Sequence, residues 1–192
     1  LERRLRTLRD EGRKLLVVYL TAGVGQWRET VEAIADAGAD AIEIGIPFSD
    51  PVMDGPVIQE ACERAIDGGT NPHSVLAELR TLRVDVPLVV MTYYNLVFRF
   101  GLDRFAGACR DAGVAAAILP DLPLAESGPW CDAADAHGVE TVLLGATTCS
   151  DEHLSRIAER SRGFVYGVGV LGVTGERADL AESAVSIAQR LG

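Results

Sequence analysis

Gly113, Gly138 and Gly163 stand 25 residues apart, each between an amphipathic run and an apolar run. Glycine at such a junction lets a helix end in the left-handed conformation that other residues resist. The repeat therefore predicts three helix-to-strand junctions of the same design, and Gly38, three intervals before Gly113, marks another. Strands are predicted at 15–21, 41–46, 88–93, 115–119, 140–144 and 164–167. Helices are predicted between them at 27–37, 102–112, 126–137 and 152–161, where apolar residues recur at helical spacing. Strands alternating with helices argue for a parallel sheet covered by helices. A unit of about 25–30 residues fits one strand plus one helix of an eight-fold (β/α) barrel. An open doubly wound sheet is the alternative, but no Gly-x-Gly-x-x-Gly fingerprint follows the first strand.

Six strands can be counted before a last helix predicted over 176–191. A (β/α)₈ barrel needs eight strands, so residues 1–192 read as one barrel domain lacking its last two βα units. Six strands alone would leave two apolar edges open to pairing, and the expectation is a shortened version of a longer chain.

Composition narrows the function classes. A net charge of −10 argues against nucleic-acid binding, which needs a basic patch. No apolar run approaches the ~18 residues of a membrane span, and the N-terminal residues read as a charged helix rather than an export signal. Cys62, Cys109, Cys131 and Cys149 form no C-x-x-C pair, and three of them fall in helical runs. They read as reduced, largely buried thiols of a cytoplasmic protein. His73, His137 and His153 are scattered, so no metal site is expected.

The most unusual local feature is the run Glu43-Ile-Gly-Ile-Pro-Phe-Ser-Asp-Pro-Val-Met-Asp-Gly-Pro56. It starts as a strand, where side chains alternate between faces. Ile42 and Ile44 share one face, while Glu43 shares the other with Ala41 and Gly45. A carboxylate between two very small residues in an apolar strand is costly to bury unless paired or neutralised, which favours a functional role for Glu43. Asp54 taken alone reads as a turn residue ahead of a helix with Pro56 at its first position.

Active sites of (β/α) barrels lie at the C-terminal ends of the strands. Tyr19 and Thr21, Tyr93 and Asn95, Asp121, and Thr147 with Thr148 all fall there. Tyr19 and Tyr93 can equally be rim aromatics, Asp121 a turn former between prolines, and Asn95 the cap of a short helix. Four glycines between 167 and 175 suit a lid or an anion-binding loop, and Gly175 adjoins a predicted helix start, where free N–H groups can hold an anion.

The run 42–56 closely resembles the signature of the tryptophan synthase alpha subunit family. Weaker matches follow in order at Met91-Thr-Tyr-Tyr-Asn-Leu-Val97, Leu119-Pro-Asp-Leu-Pro123 and Gly172-Val-Thr-Gly175. The resemblance implies a lyase that cleaves indole-3-glycerol phosphate to indole and glyceraldehyde 3-phosphate in tryptophan biosynthesis, with no cofactor or metal of its own. It implies a pyridoxal-phosphate-dependent beta subunit as partner, in an alpha2beta2 heterotetramer. By motif position, Glu43 and Asp54 would be the catalytic carboxylates. Tyr19, Tyr93 and Tyr166 would line the substrate site, Thr174 would be a lid residue that positions Asp54, and Gly175 would offer its backbone to the phosphate. Asp50 and Pro51 would face the beta subunit. The family's glycine-rich phosphate loops follow the seventh and eighth strands, which these residues do not reach.

Such a cleavage is a retro-aldol reaction. Indole C3 must gain a proton, the cation at N1 must be stabilised, and a glycerol hydroxyl must lose its proton. Glu43, raised by desolvation, suits the proton transfers; Asp54, in a more polar loop, suits the indole N–H. Two other readings compete: a stand-alone indole-releasing lyase, and a catalytically silent subunit that activates a beta partner.

Overall fold

The computed structural model describes residues 1–169 and 182–191. Helix α1 (Glu2–Asp10) precedes β1 (Val17–Thr21), α2 (Trp27–Asp36) and β2 (Ala41–Gly45). Two helices, α3 (Pro56–Asp67) and α4 (Pro72–Leu79), lead to β3 (Leu88–Met91). Then come α5 (Tyr94–Phe100), α6 (Leu102–Asp111), β4 (Val114–Ile118), α7 (Gly128–His137), β5 (Glu140–Ala146), α8 (Asp151–Arg160), β6 (Val165–Val168) and α9 (Glu182–Leu191). The strands form one parallel sheet in the order β1-β2-β3-β4-β5-β6. This is six-eighths of a (β/α) barrel, as the alternation predicts. Among the described residues β1 and β6 each pair with one neighbour only.

The repeat glycines do what their spacing implies. Gly38, Gly113, Gly138 and Gly163 have φ of 95°, 74°, 71° and 88°, a region closed to most side chains. Each thus turns the chain from a helix into the next strand. Asn71 starts α4 with a capping box, accepting from the Ser74 N–H while Ser74 Oγ accepts from the Asn71 N–H. Several boundaries depart from expectation: β1 starts at Val17 rather than 15, and α7 at Gly128 rather than 126. β3 stops at Met91 because Tyr93 already turns into α5, and β5 runs on to Ala146, two residues beyond the predicted end. Only the 182–191 part of the last predicted helix lies within the described residues.

Strand alternation separates two apolar layers. Ile42, Ile44 and Val90 face outward and pack with Val31, Leu79, Val97, Phe105 and Trp130 from the helices. Burying side chains of this size stabilises the fold by about 1.5–3 kcal/mol each. Val89, Ala116, Ile118 and Val142 form the smaller inner cluster, with Met91, Leu144 and Phe164 packed on it. Glu43 lies beside Val89 in register and so shares this inner face. Among the described residues, no helix is long and apolar enough to cross a membrane.

Candidate active site

Glu43 sits in the middle of β2, with Tyr19 of β1 on one side and Val89 of β3 on the other. It is 4% exposed. Burial raises its carboxyl to about 7, and the charge of Asp54 pushes it the same way. Among the described residues the carboxyl makes no hydrogen bond. An unpaired acid among apolar neighbours is stable in its neutral form and can exchange a proton near neutral pH.

Gly45, the small residue that follows Glu43 on this strand face, has a steric reason. The Tyr19 ring folds over Gly45, so that a Cβ there would lie 2.7 Å from Cζ of that ring. The Tyr19 hydroxyl meets Thr21 Oγ1 at 3.2 Å. Burial pushes the Tyr19 phenol well above its ordinary range, and the nearby carboxylates add to this. The phenol therefore stays protonated.

Asp54 comes from the loop after β2, and the helix that follows anchors that loop. Gly55 is extended at the N-cap of α3, Pro56 opens the helix, and Gln59 Nε2 donates to the Asp54 carbonyl at 2.9 Å. Tyr93, buried at the end of β3, holds the same loop from the other side. Its hydroxyl accepts from the Met53 N–H at 3.0 Å and donates to Asp54 Oδ2 at 2.9 Å. The Phe48 ring lies 5.1 Å from that of Tyr93. Tyr19, Gly45, Phe48, Asp54, Cys62 and Tyr93 line a cavity of about 20 Å³, room for roughly one water molecule.

Tyr166 pairs in register with Leu144 and so faces the same interior from β6. Burial raises its phenol, and Glu43 and then Asp54 contribute. The structure thus brings Tyr19, Glu43, Asp54, Tyr93 and Tyr166 to one inner face at the strand ends. Asp50 is exposed and Pro51 half-buried on the outer side of the Asp54 loop. Thr174 and Gly175 lie outside the described residues. Among the described residues no cluster of His, Cys, Asp and Glu converges as metal ligands.

Some placements differ from the sequence reading. Asn95 does not cap a helix; it is exposed within α5, and the cap comes from Asp121, whose Oδ1 accepts the Tyr94 N–H at 2.8 Å. Thr147 presents its carbonyl to Arg190 of α9 at 3.0 Å. Sequence reasoning passed over Phe48, Cys62 and Thr92. Thr92 Oγ1 donates to the Ile46 carbonyl at 3.2 Å and ties the ends of β2 and β3 together. The polar residue directly before Tyr93 was the one available sign of that tie.

Parallel strands alternating with helices, with an inward glutamate and a loop aspartate over the same strand ends, place the chain among the (β/α) barrel proteins. The chain matches the tryptophan synthase alpha chain family over residues 5–192. It is 43% identical to the tryptophan synthase alpha chain of Methanosarcina mazei over 187 residues, covering 96% of this chain and 69% of that one. It is 44% identical to that of Prochlorococcus marinus over 193 residues, covering 98% and 70%. The structure of Mycobacterium tuberculosis tryptophan synthase superposes with a TM-score of 0.88 at 36% identity, over 98% of this chain and 74% of that one. The chain belongs to the tryptophan synthase alpha chain family, a family of lyases that cleave indole-3-glycerol phosphate in tryptophan biosynthesis.

Proposed function

We propose that Glu43 and Asp54 are the reacting carboxylates of an indole-3-glycerol phosphate lyase. The observation that carries this reading is the contrast between them. Glu43 is buried without a hydrogen-bond partner among the described residues and is raised to about 7, whereas Asp54 is held on a half-buried loop by the Tyr93 hydroxyl. Two carboxylates in opposed environments suit an acid–base role and a charge-stabilising role. Glu43, protonated, delivers a proton to indole C3, and the C3–side-chain bond breaks, its electrons returning to the ring, as the glycerol hydroxyl gives up its proton to the carboxylate left on Glu43 and becomes an aldehyde. Asp54 accepts the indole N–H and stabilises the cation that forms on the ring. Tyr19, Tyr93 and Tyr166 wall the ring, and Thr174 and Gly175 serve the lid and the phosphate.

The partner reading is a beta subunit in an alpha2beta2 assembly, docked on the outer side of the Asp54 loop. Next to Asp50 and Pro51, Val52 and Val57 are each 76% exposed. Phe98 is also exposed; its ring lies 6.0 Å from that of Tyr94, tilted by 46°. An apolar group of this kind suits a protein interface.

The test is indole release from indole-3-glycerol phosphate, with and without beta subunit. Glu43→Gln and Asp54→Asn should each lower turnover by at least about 10³-fold, the scale of losing an essential acid or charge stabiliser, while circular dichroism stays that of the parent. With Glu43 as the acid, turnover should fall as pH rises above 7. Near-normal turnover in either variant refutes the assignment, and a parent that only activates the beta subunit is a silent partner.

A further inference from the structure

We infer that Asp121 is a positioning residue for Asp54, acting through the backbone of α5 and the side chain of Tyr93. The inference rests on the reading of Asp54 as a reacting carboxylate. Three loops leave the ends of β2, β3 and β4, and side-chain hydrogen bonds join them. The Tyr93 hydroxyl links the first loop to the second through Met53 N–H and Asp54 Oδ2. Asp121 links the third to the second, its Oδ1 2.8 Å from the Tyr94 nitrogen.

The geometry of α5 explains why the second link matters to the first. Tyr93 is the N-cap residue of α5, extended at φ −80° and ψ 145°. A cap residue normally turns its own side chain back onto the first N–H groups of its helix. Tyr93 makes no such bond; its long side chain carries the hydroxyl away to Asp54. The Tyr94 N–H would then lack a protein partner, and a carboxylate from 27 residues away takes it instead. A charge-assisted bond of this kind is stronger than one between neutral groups. It fixes the backbone from which the Tyr93 ring projects, and hence the point where its hydroxyl meets Asp54. The Asp121 charge is also felt at the Tyr93 phenol, which it helps keep protonated and able to donate. Thr92, just before Tyr93, is tied to the Ile46 carbonyl, so the turn is held on both sides.

Two experiments on the intact protein test this. The first is amide hydrogen exchange by NMR, which needs no activity. Asp121→Ala should speed exchange at both the Tyr94 and Met53 amides by about 10-fold, as for one ordinary hydrogen bond, while Asp121→Asn, whose amide oxygen still accepts, stays close to the parent. Faster exchange at Tyr94 with Met53 unchanged overturns the inference, because the cap is then local. The second is a double-mutant cycle on cleavage of indole-3-glycerol phosphate. Asp121→Ala should lower kcat by about 10-fold with little change in KM, on the scale that small misplacements of a reacting group cost. Asp121→Asn should recover most of that loss, and in a Tyr93→Phe background Asp121→Ala should add nothing. Equal losses in both backgrounds, or an Asn variant as poor as the Ala variant, overturn the inference. A parent protein that releases no indole refutes the proposed function instead and leaves the exchange experiment to decide on Asp121.

Discussion

Glu43 and Tyr166 face the same interior from β2 and β6, yet one is 4% exposed and the other 37%. Glu43 has a paired strand on each side and a tethered loop above it. Tyr166 stands on a strand that, among the described residues, pairs on one side only. The comparison shows that the carboxylate pair depends on local parts. β1, β2, β3 and the loops after β2, β3 and β4 bury Glu43 and hold Asp54, whereas the β6 side contributes a wall that is half in water. Substitutions in the first sector should therefore change stability strongly, in either direction, and those on β6 only slightly.

The largest effect on stability is expected at Glu43. Burial raises its folded-state carboxyl from 4.5 to about 7. Its contribution thus favours the fold below about pH 4.5 and is lost as pH rises through 7, at a cost on the order of 3 kcal/mol for full ionisation. Glu43→Gln removes that titration. In urea melts the variant should gain on the parent between pH 5 and about pH 7 and hold that gain at pH 8. Curves that stay parallel across this range would mean that the carboxyl is not desolvated, and the contrast between the two sectors would fail at its first point.

Gly45 comes next. Gly45→Ala places a methyl group against the Tyr19 ring, and overpacking of this kind costs about 1–3 kcal/mol. Thermal or urea unfolding should show the loss. The same substitution in a Tyr19→Ala background should cost almost nothing, because the ring that fills the slot is gone. A penalty that persists there would locate the constraint on the backbone rather than on Tyr19.

The sequence carried the fold because the βα alternation and the glycine interval are local signals. Each repeat glycine is needed at its own helix end, whatever the rest of the chain does. Glu43 was legible for a similar reason, since alternation in one strand placed it inward among small neighbours. Asp54 was not legible from its own surroundings. What holds it is a hydroxyl 39 residues away, and only the resemblance of the whole 42–56 run pointed to it. Asp121 stayed ambiguous for the same physical reason, its partner being a backbone N–H on another loop. Asn95 misled because a polar residue near a helix start usually caps it, whereas here the helix begins two residues earlier than a cap at Asn95 requires and borrows its cap.

A smaller effect is expected at Tyr93. Tyr93→Phe keeps the ring on Phe48 but leaves the Met53 N–H and Asp54 Oδ2 without their shared partner. The two hydrogen bonds lost contribute about 1 kcal/mol each, readable as a shift of the urea midpoint at constant slope. A changed slope would indicate instead that the whole loop after β2 has come loose.

The smallest effect is expected at Tyr166, where Tyr166→Phe sharpens the comparison from the other side. The phenol points into the interior, and both carboxylates act on it electrostatically, but more than a third of the residue is exposed and the described residues give its hydroxyl no hydrogen bond. Removing that hydroxyl takes away no protein partner, so stability should change by less than about 0.5 kcal/mol, as for surface positions generally. The loss should also be the same at pH 5 and pH 8, because a phenol that stays protonated takes no part in the Glu43 titration. A cost approaching that of Tyr93→Phe would show that β6 is as well enclosed as β3. The two sectors would then form one continuous wall, and the half-exposed state of Tyr166 would not describe the folded protein in solution.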